Sequence, residues 1–195
     1  QISDTMLGLI TGFAFVLFYS LMGIPIARLA DRSNRRNIIA IGCAFWSAMT
    51  VVTGMVTSVW QLAASRFLMG AGEACGIAPS NSMIADLFSA AKRPLALSIM
   101  TAGNGLGSLL LFPIVGWIAL HYGWRATFYT AGMLGIVVAL IFFLTVREPP
   151  RRDVKPMMRR ETFREALAFL GGSRAYLWLL AGGAPMGISL VAQIV

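Results

Sequence analysis

Six stretches of this chain are long and apolar enough to cross a lipid bilayer as helices: residues 5–28, 37–57, 60–87, 93–120, 125–146 and 174–195. A crossing takes about 20 helical residues. No water reaches the hydrocarbon core, so every backbone N–H and C=O there must be paired within the protein, and successive apolar runs are confined to helices. The expected fold class is therefore an all-α polytopic membrane protein. Composition agrees, with 57% hydrophobic and only 12% charged residues, against about 25% charged in soluble domains.

The turns between the runs alternate in charge. Asp31 to Arg36, Lys92-Arg93 and the long segment 147–173 are basic, whereas Thr57-Ser58-Val59 and His121 to Trp124 are neutral or nearly so. Successive crossings that obey the positive-inside rule produce this pattern, so the basic loops are expected in the cytoplasm. Of the 16 Lys and Arg residues, 14 belong to the three basic loops or the adjoining helix ends, which leaves Arg66 inside a span and Arg125 at the opposite surface. The +8 net charge thus reflects topology, and nucleic acid is not an expected partner. Trp60, Trp117 and Trp124 fall near the expected outer boundary, where aromatic rings anchor helices. Residue 1 falls on the outer side with no export signal in front of it. An earlier helix is expected to have carried the chain across, and more chain to follow Val195.

Cys43 and Cys75 lie within apolar runs and read as small core residues rather than a disulfide pair. Catalytic chemistry is not visible: His121 is the one histidine, and no metal-ligand cluster, phosphate loop or nucleophile motif occurs. No catalytic residue, cofactor or metal is expected. Gly103-Asn104-Gly105-Leu106-Gly107 follows no strand, so it reads as a helix-packing pattern around an asparagine that could also line a substrate path. Gly8, Gly12, Gly23 and Ala27 form a small-residue stripe expected to allow close helix contact. In the segment 147–173, Pro149, Pro150 and Pro156 oppose a helix, after which Glu161 to Leu170 forms an amphipathic pattern suited to the membrane interface.

Function is expected where polar groups enter the bilayer. Arg66 and Glu73 are seven residues apart in one apolar run, hence on one helical face and about 10 Å apart along the axis. Each such charge costs about 2.5–3.5 kcal/mol at a helix centre, so both must face protein or water. Gly70 between them leaves room for a neighbouring helix. Burial favours a neutral carboxyl and a nearby guanidinium favours a charged one. A guanidinium that moves, or is engaged by substrate, would therefore let the carboxyl take a proton; a static ion pair fixing helix packing is the competing reading. Pro79 is expected to bend this helix, and Ser80, Asn81 and Ser82 beyond it to line an inner cavity. At the basic end, Asp31 and Asp86 are placed among Arg32, Arg35 and Arg36 as a charge latch that holds one access state.

Three motifs resemble those of the major facilitator superfamily. Ala27-Arg28-Leu29-Ala30-Asp31-Arg32-Ser33-Asn34-Arg35-Arg36 is similar to its signature loop Gly-x-Leu-Ala-Asp-Arg-x-Gly-Arg-Arg, with Ala27 and Asn34 in place of the glycines. Asn34 is expected to tolerate the left-handed conformation a glycine would supply. Arg66-x-x-x-Gly70-x-Gly72 resembles the fourth-helix motif, and Arg147-Glu148-Pro149-Pro150-Arg151 the one after the sixth helix. Gly23-Ile24-Pro25, Gly70-Ala71-Gly72-Glu73-Ala74 and Ala78-Pro79-Ser80 look like the Spinster-like branch, which includes lysolipid and sphingoid-lipid transporters. Phe112-Pro113-x-x-Gly116-Trp117 matches the antiporter signature only in part.

The resemblance implies the second to seventh of twelve helices. Residues 1–146 would form most of the N-terminal bundle, 147–173 a basic cytoplasmic linker, and 174–195 the first helix of the C-terminal bundle. It implies a proton-coupled, alternating-access transporter of a small molecule, with amphiphilic or lipid-like molecules among the candidates, in a membrane of the bacterial inner type. The partners would be substrate, protons, the bilayer and the remainder of the same chain. The candidate residues are Arg66, Glu73, Asn81 and Asn104 for coupling and the cavity, and Asp31, Arg32, Arg35, Arg36, Asp86, Arg147 and Arg151 for the latch. A non-transporting receptor or assembly subunit sharing the fold is the second reading.

Overall fold

The structure, a computed structural model, describes residues 4–151, 171–174 and 177–178. The last expected span and the amphipathic stretch before it fall almost wholly outside the described residues. The chain divides into two compact units, residues 1–152 and 153–195, and the description below concerns the first.

Four helices build it: α1 (Asp4–Arg32), α2 (Arg35–Met55), α3 (Val59–Leu87) and α4 (Arg93–Thr145). α4 contains two of the expected spans, separated by Gly123 at φ 83°. That left-handed backbone is open to glycine at little cost and ends one helical direction before the next begins. The sequence marks the other ends as well. Ser58 and Gln61 form a reciprocal capping box at the start of α3. Asn34 caps α2 by accepting from the Asn37 N–H at 3.0 Å. Its backbone is extended, at φ −69°, so the left-handed turn expected at Asn34 does not form; a capping oxygen takes the place of a permissive backbone.

α3 lies between α1 and α2, and α2 lies between α3 and the second half of α4. Small residues set these contacts, as they must where lipid tails are as apolar as the side chains and only close packing favours one helix over its solvent. A Cβ on Gly70 would stand 2.7 Å from the Phe15 carbonyl oxygen of α1, and one on Gly72 would stand 2.8 Å from the Trp46 backbone nitrogen of α2. Gly42 faces Cys75 and the Gly72 carbonyl, while Gly132 and Gly135 receive Ser47 and Val51. The expected stripe is not used this way: added Cβ atoms at Gly8, Gly12 and Gly23, and likewise at Gly103 and Gly107, would meet nothing within 4 Å. Each close approach has α2 or α3, the helices with neighbours on two sides, as at least one partner.

Polar bonds reinforce the packing. Buried Thr53 Oγ1 donates to Ser65 Oγ at 3.1 Å, joining α2 to α3. Tyr129 donates to the Gly54 carbonyl at 3.1 Å, and Arg125 to the Val56 carbonyl at 3.2 Å while its guanidinium stacks on Trp124. Each satisfies an orphan carbonyl at the end of α2. Gly72→Val should therefore lower the stability of the full-length protein by about 1–3 kcal/mol through overpacking. Gly116→Ala, where a Cβ meets nothing, should leave it unchanged or raise it slightly. Melting curves in detergent read the difference.

Candidate functional site

Two polar centres lie at different depths along α3. The deeper one holds Arg66 and Glu73, both half-buried. Gly70 lets α1 close onto the same helix, with Phe15 and Tyr19 against it. The Arg66 guanidinium lies 5.8 Å from the centre of the Phe128 ring and its Nη1 is 3.8 Å from Met69 Sδ. Glu73 is within electrostatic reach of Arg66 and of Tyr19. Among the described residues the two charges form no direct ion pair within 4 Å, so the tight static pair considered above is not made. A rise of about 10 Å over seven residues explains the gap, because Arg66 turns toward an aromatic face of α4 instead of spanning it. Pro79 is fully buried within a helix that continues through it. Asn81 is exposed on α3, and the Asn104 side chain lies outside the described residues.

The second centre gathers the helix ends at the basic surface. The Arg35 side chain is 2% exposed. It donates from Nε to Glu148 Oε1 at 2.7 Å, and from Nη1 to Asp86 Oδ2 at 2.5 Å and Ser82 Oγ at 2.9 Å. Its Nη2 reaches the Pro149 carbonyl at 3.3 Å. The second oxygen of Glu148 accepts the Arg36 backbone N–H at 2.9 Å. The Arg36 guanidinium stacks on the Phe143 ring at 4.2 Å and donates to the Phe143 carbonyl at the end of α4. Arg151 donates to the carbonyls of Ala30, Asp31 and Ser33 at the end of α1, with the Ala30 bond at 2.7 Å. Cations at helix C-termini meet the negative end of the helix dipole as well as orphan acceptors.

Of the residues singled out for the latch, Arg35, Arg36 and Asp86 thus meet in one network through Glu148, and Arg151 separately holds the end of α1. Asp31, Arg32 and Arg147 are exposed beside it and their side chains have no hydrogen-bond or ion-pair partner among the described residues. Glu148, which bonds two successive residues of α2, was not among the candidates. Its only sequence signal was its place in the Arg147 to Arg151 motif.

A profile of the Major Facilitator Superfamily matches residues 1–195. The chain belongs to this superfamily. It is accordingly an integral membrane protein of a family of transporters rather than enzymes. An MFS-type efflux pump of Mycolicibacterium smegmatis is 34% identical over 146 residues, which is 75% of this chain and 34% of that protein. The sphingosine-1-phosphate transporter of Danio rerio is 33% identical over 155 residues, covering 77% of this chain and 30% of its own length. The crystal structure of a bacterial homolog to the human lysosomal transporter Spinster, inward-facing and unoccupied, superposes with a TM-score of 0.70 at 36% identity over 93% of this chain and 44% of that one. The resemblance to Spinster-like members is therefore shown. The chain spans about a third of the length of the two full-length relatives.

Within this superfamily chain the Arg35 network predicts a coupled loss of stability. Asp86→Ala and Glu148→Ala should each cost about 1–3 kcal/mol, because each leaves a nearly buried guanidinium short of a partner. The double variant should depart from additivity by about 0.5–3 kcal/mol. Thermal or denaturant unfolding of the four-member cycle measures this coupling, and simple additivity would mean the network is not a unit.

Proposed function

We propose that the protein is a proton-coupled secondary transporter working by alternating access, with these helices as the second to seventh of twelve and the Arg35 end in the cytoplasm of a bacterial-type inner membrane. The observation that carries the coupling is that Arg66 and Glu73 share one face of a membrane helix without neutralising each other by direct contact. Ionisable groups inside a bilayer are costly and mark pathways for ions or substrate. A carboxylate held by electrostatic attraction alone is easily released when its cation moves, and protonation is then the cheaper state. Rocking of two bundles about a midplane site supplies that movement. The cavity is proposed to be completed by Asn81, Asn104 and the remainder of the same chain.

The substrate is proposed to be a small amphiphile. Phe128 and Met69 lie against Arg66 and Tyr19 is within electrostatic reach of Glu73, a mix of aromatic, thioether and charged groups that suits an apolar body with a polar head. The relative named for sphingosine-1-phosphate transport carries that chemistry.

At the cytoplasmic end the proposed latch has two parts. Arg35, Arg36, Asp86, Glu148 and Arg151 lie within a single unit and serve as its staple. Exposed Asp31, with Arg32 and Arg147 beside it, is left to make contacts that change between access states. Proteoliposomes of the full-length protein test both parts. Glu73→Gln should abolish accumulation driven by a pH gradient while substrate exchange persists; full pH-driven uptake by this variant would exclude coupling through Glu73. Asp31→Asn should change the transport rate with little change in melting temperature, the opposite of Asp86→Asn. A receptor sharing the fold would bind substrate without moving it.

A further inference from the structure

A hollow lies where α3 turns into α4, next to the Asp86 end of the Arg35 network. Ile84 and Phe88 form one wall, Leu95, Ala96 and Ile99 the other, and Lys92 stands at its mouth; the cleft holds about 220 Å³. The turn that shapes it is closed by its own backbone: the N–H groups of Lys92 and Arg93 both donate to the Ser89 carbonyl, at 2.9 and 3.0 Å. Arg93 Nε adds a bond to the Phe88 carbonyl at 3.2 Å. The two helix ends are thus tied together and the cleft is preformed. Its far wall faces outward, with Leu95 and Ile99 about two-thirds exposed at 65% and 64%.

Charge distinguishes this cleft from an ordinary lipid-facing groove. The neighbouring carboxylate of Asp86 bonds Arg35 at 2.5 Å. Lys92 has no hydrogen-bond or ion-pair partner among the described residues, and Arg93 adds a second positive charge beside it. An apolar slot lined by a lysine complements a molecule with a hydrocarbon tail and an anionic head. The volume falls below the range of about 300–1,000 Å³ usual for whole small-molecule sites, which fits part of one acyl chain rather than a complete cargo molecule.

We propose that this cleft binds an anionic phospholipid of the adjacent leaflet, one acyl chain lying between Phe88 and Ile99 and the phosphate meeting Lys92. The site is separate from the transport pathway proposed above and depends on that reading only for the leaflet being cytoplasmic. A bound lipid would fasten the α3–α4 turn to the bilayer surface, giving the bundle a fixed depth at the end where the staple holds it.

The test uses the full-length transporter in nanodiscs of equal parts phosphatidylglycerol and phosphatidylcholine, one of them carrying a photoactivatable group on its acyl chain. Mass spectrometry then quantifies adducts on residues 84–99. Saturable labelling by the phosphatidylglycerol probe is expected, competed by unlabelled phosphatidylglycerol and not by phosphatidylcholine. Lys92→Gln should weaken it about fivefold, the effect of one basic residue at an anionic surface. Ala96→Trp, which fills the cleft, should remove the adducts while leaving the melting temperature in place; if that variant fails to fold, the Lys92→Gln titration decides. Equal labelling by both probes would overturn the proposal, as would labelling that survives Ala96→Trp. So would a cross-link from Ala96→Cys to another segment of the chain or to a second copy, which would identify a protein occupant instead.

Discussion

One guanidinium ties together parts of the chain more than 100 residues apart. Arg35 opens α2, yet its donors are taken by Ser82 and Asp86 from α3 and by Glu148 and Pro149 from the segment after α4. A cation this deeply enclosed is tolerable only if its partners are complete, since a buried charge left unpaired costs more than the pair contributes. The planar fork of arginine suits the task, because it presents donors in several fixed directions where a lysine would present one point charge. Arg36 and Arg151 extend the same logic to the carbonyl ends of α4 and α1. All four helices are thereby fastened at one surface by groups that would otherwise be orphaned.

Further along the helices the fastening changes character. No polar hub holds α2 against α3 at their middle; instead Gly42 and Gly72 let the two backbones meet. Such packing depends on shape alone and loses its advantage with one added methyl group, whereas the charged end depends on a complete set of polar partners. The bundle therefore has a middle held by shape and an end held by polar contacts. The first half of α4 shares in neither arrangement. Its glycines face open space and its large apolar residues, such as Leu109 and Phe112, are exposed.

Much of this was legible in the sequence because the rules involved are periodic or local. Helix existence followed from apolar length, the break at Gly123 from the short turn His121 to Trp124, and the Arg35 to Asp86 contact from charges at matching helix ends. Glu148 escaped notice as a member of the network for a physical reason. It lies past the end of α4 in non-helical chain, where no period tells which way a side chain points. The glycine stripe of α1 misled for a related reason: small residues permit close approach without requiring it, and which face is used depends on how many neighbours a helix has. α3, with neighbours on both sides, uses Gly70 toward α1 and Gly72 toward α2. Asn34 shows a local ambiguity, since its side chain suits a left-handed turn and a helix cap equally and the chain needed the cap.

The two polar centres share one rod. Glu73 and Asp86 are 13 residues apart on α3, about 20 Å along the axis, and Pro79 lies between them with its backbone hydrogen bond missing. In the proposed cycle, a proton arriving at Glu73 can influence the staple at Asp86 either by tilting the whole rod or by bending it at Pro79. Packing argues for the tilt. Pro79 is fully buried, and Ala74 and Met83 on either side of it are each only 4% exposed, so neighbouring side chains hold the segment where the backbone alone would yield. Close-packed interiors pass displacement on rather than absorbing it. A weak rung enclosed by tight packing sets the direction of a bend without becoming a free hinge, and α3 can then carry a change at mid-membrane to the surface where Arg35 waits.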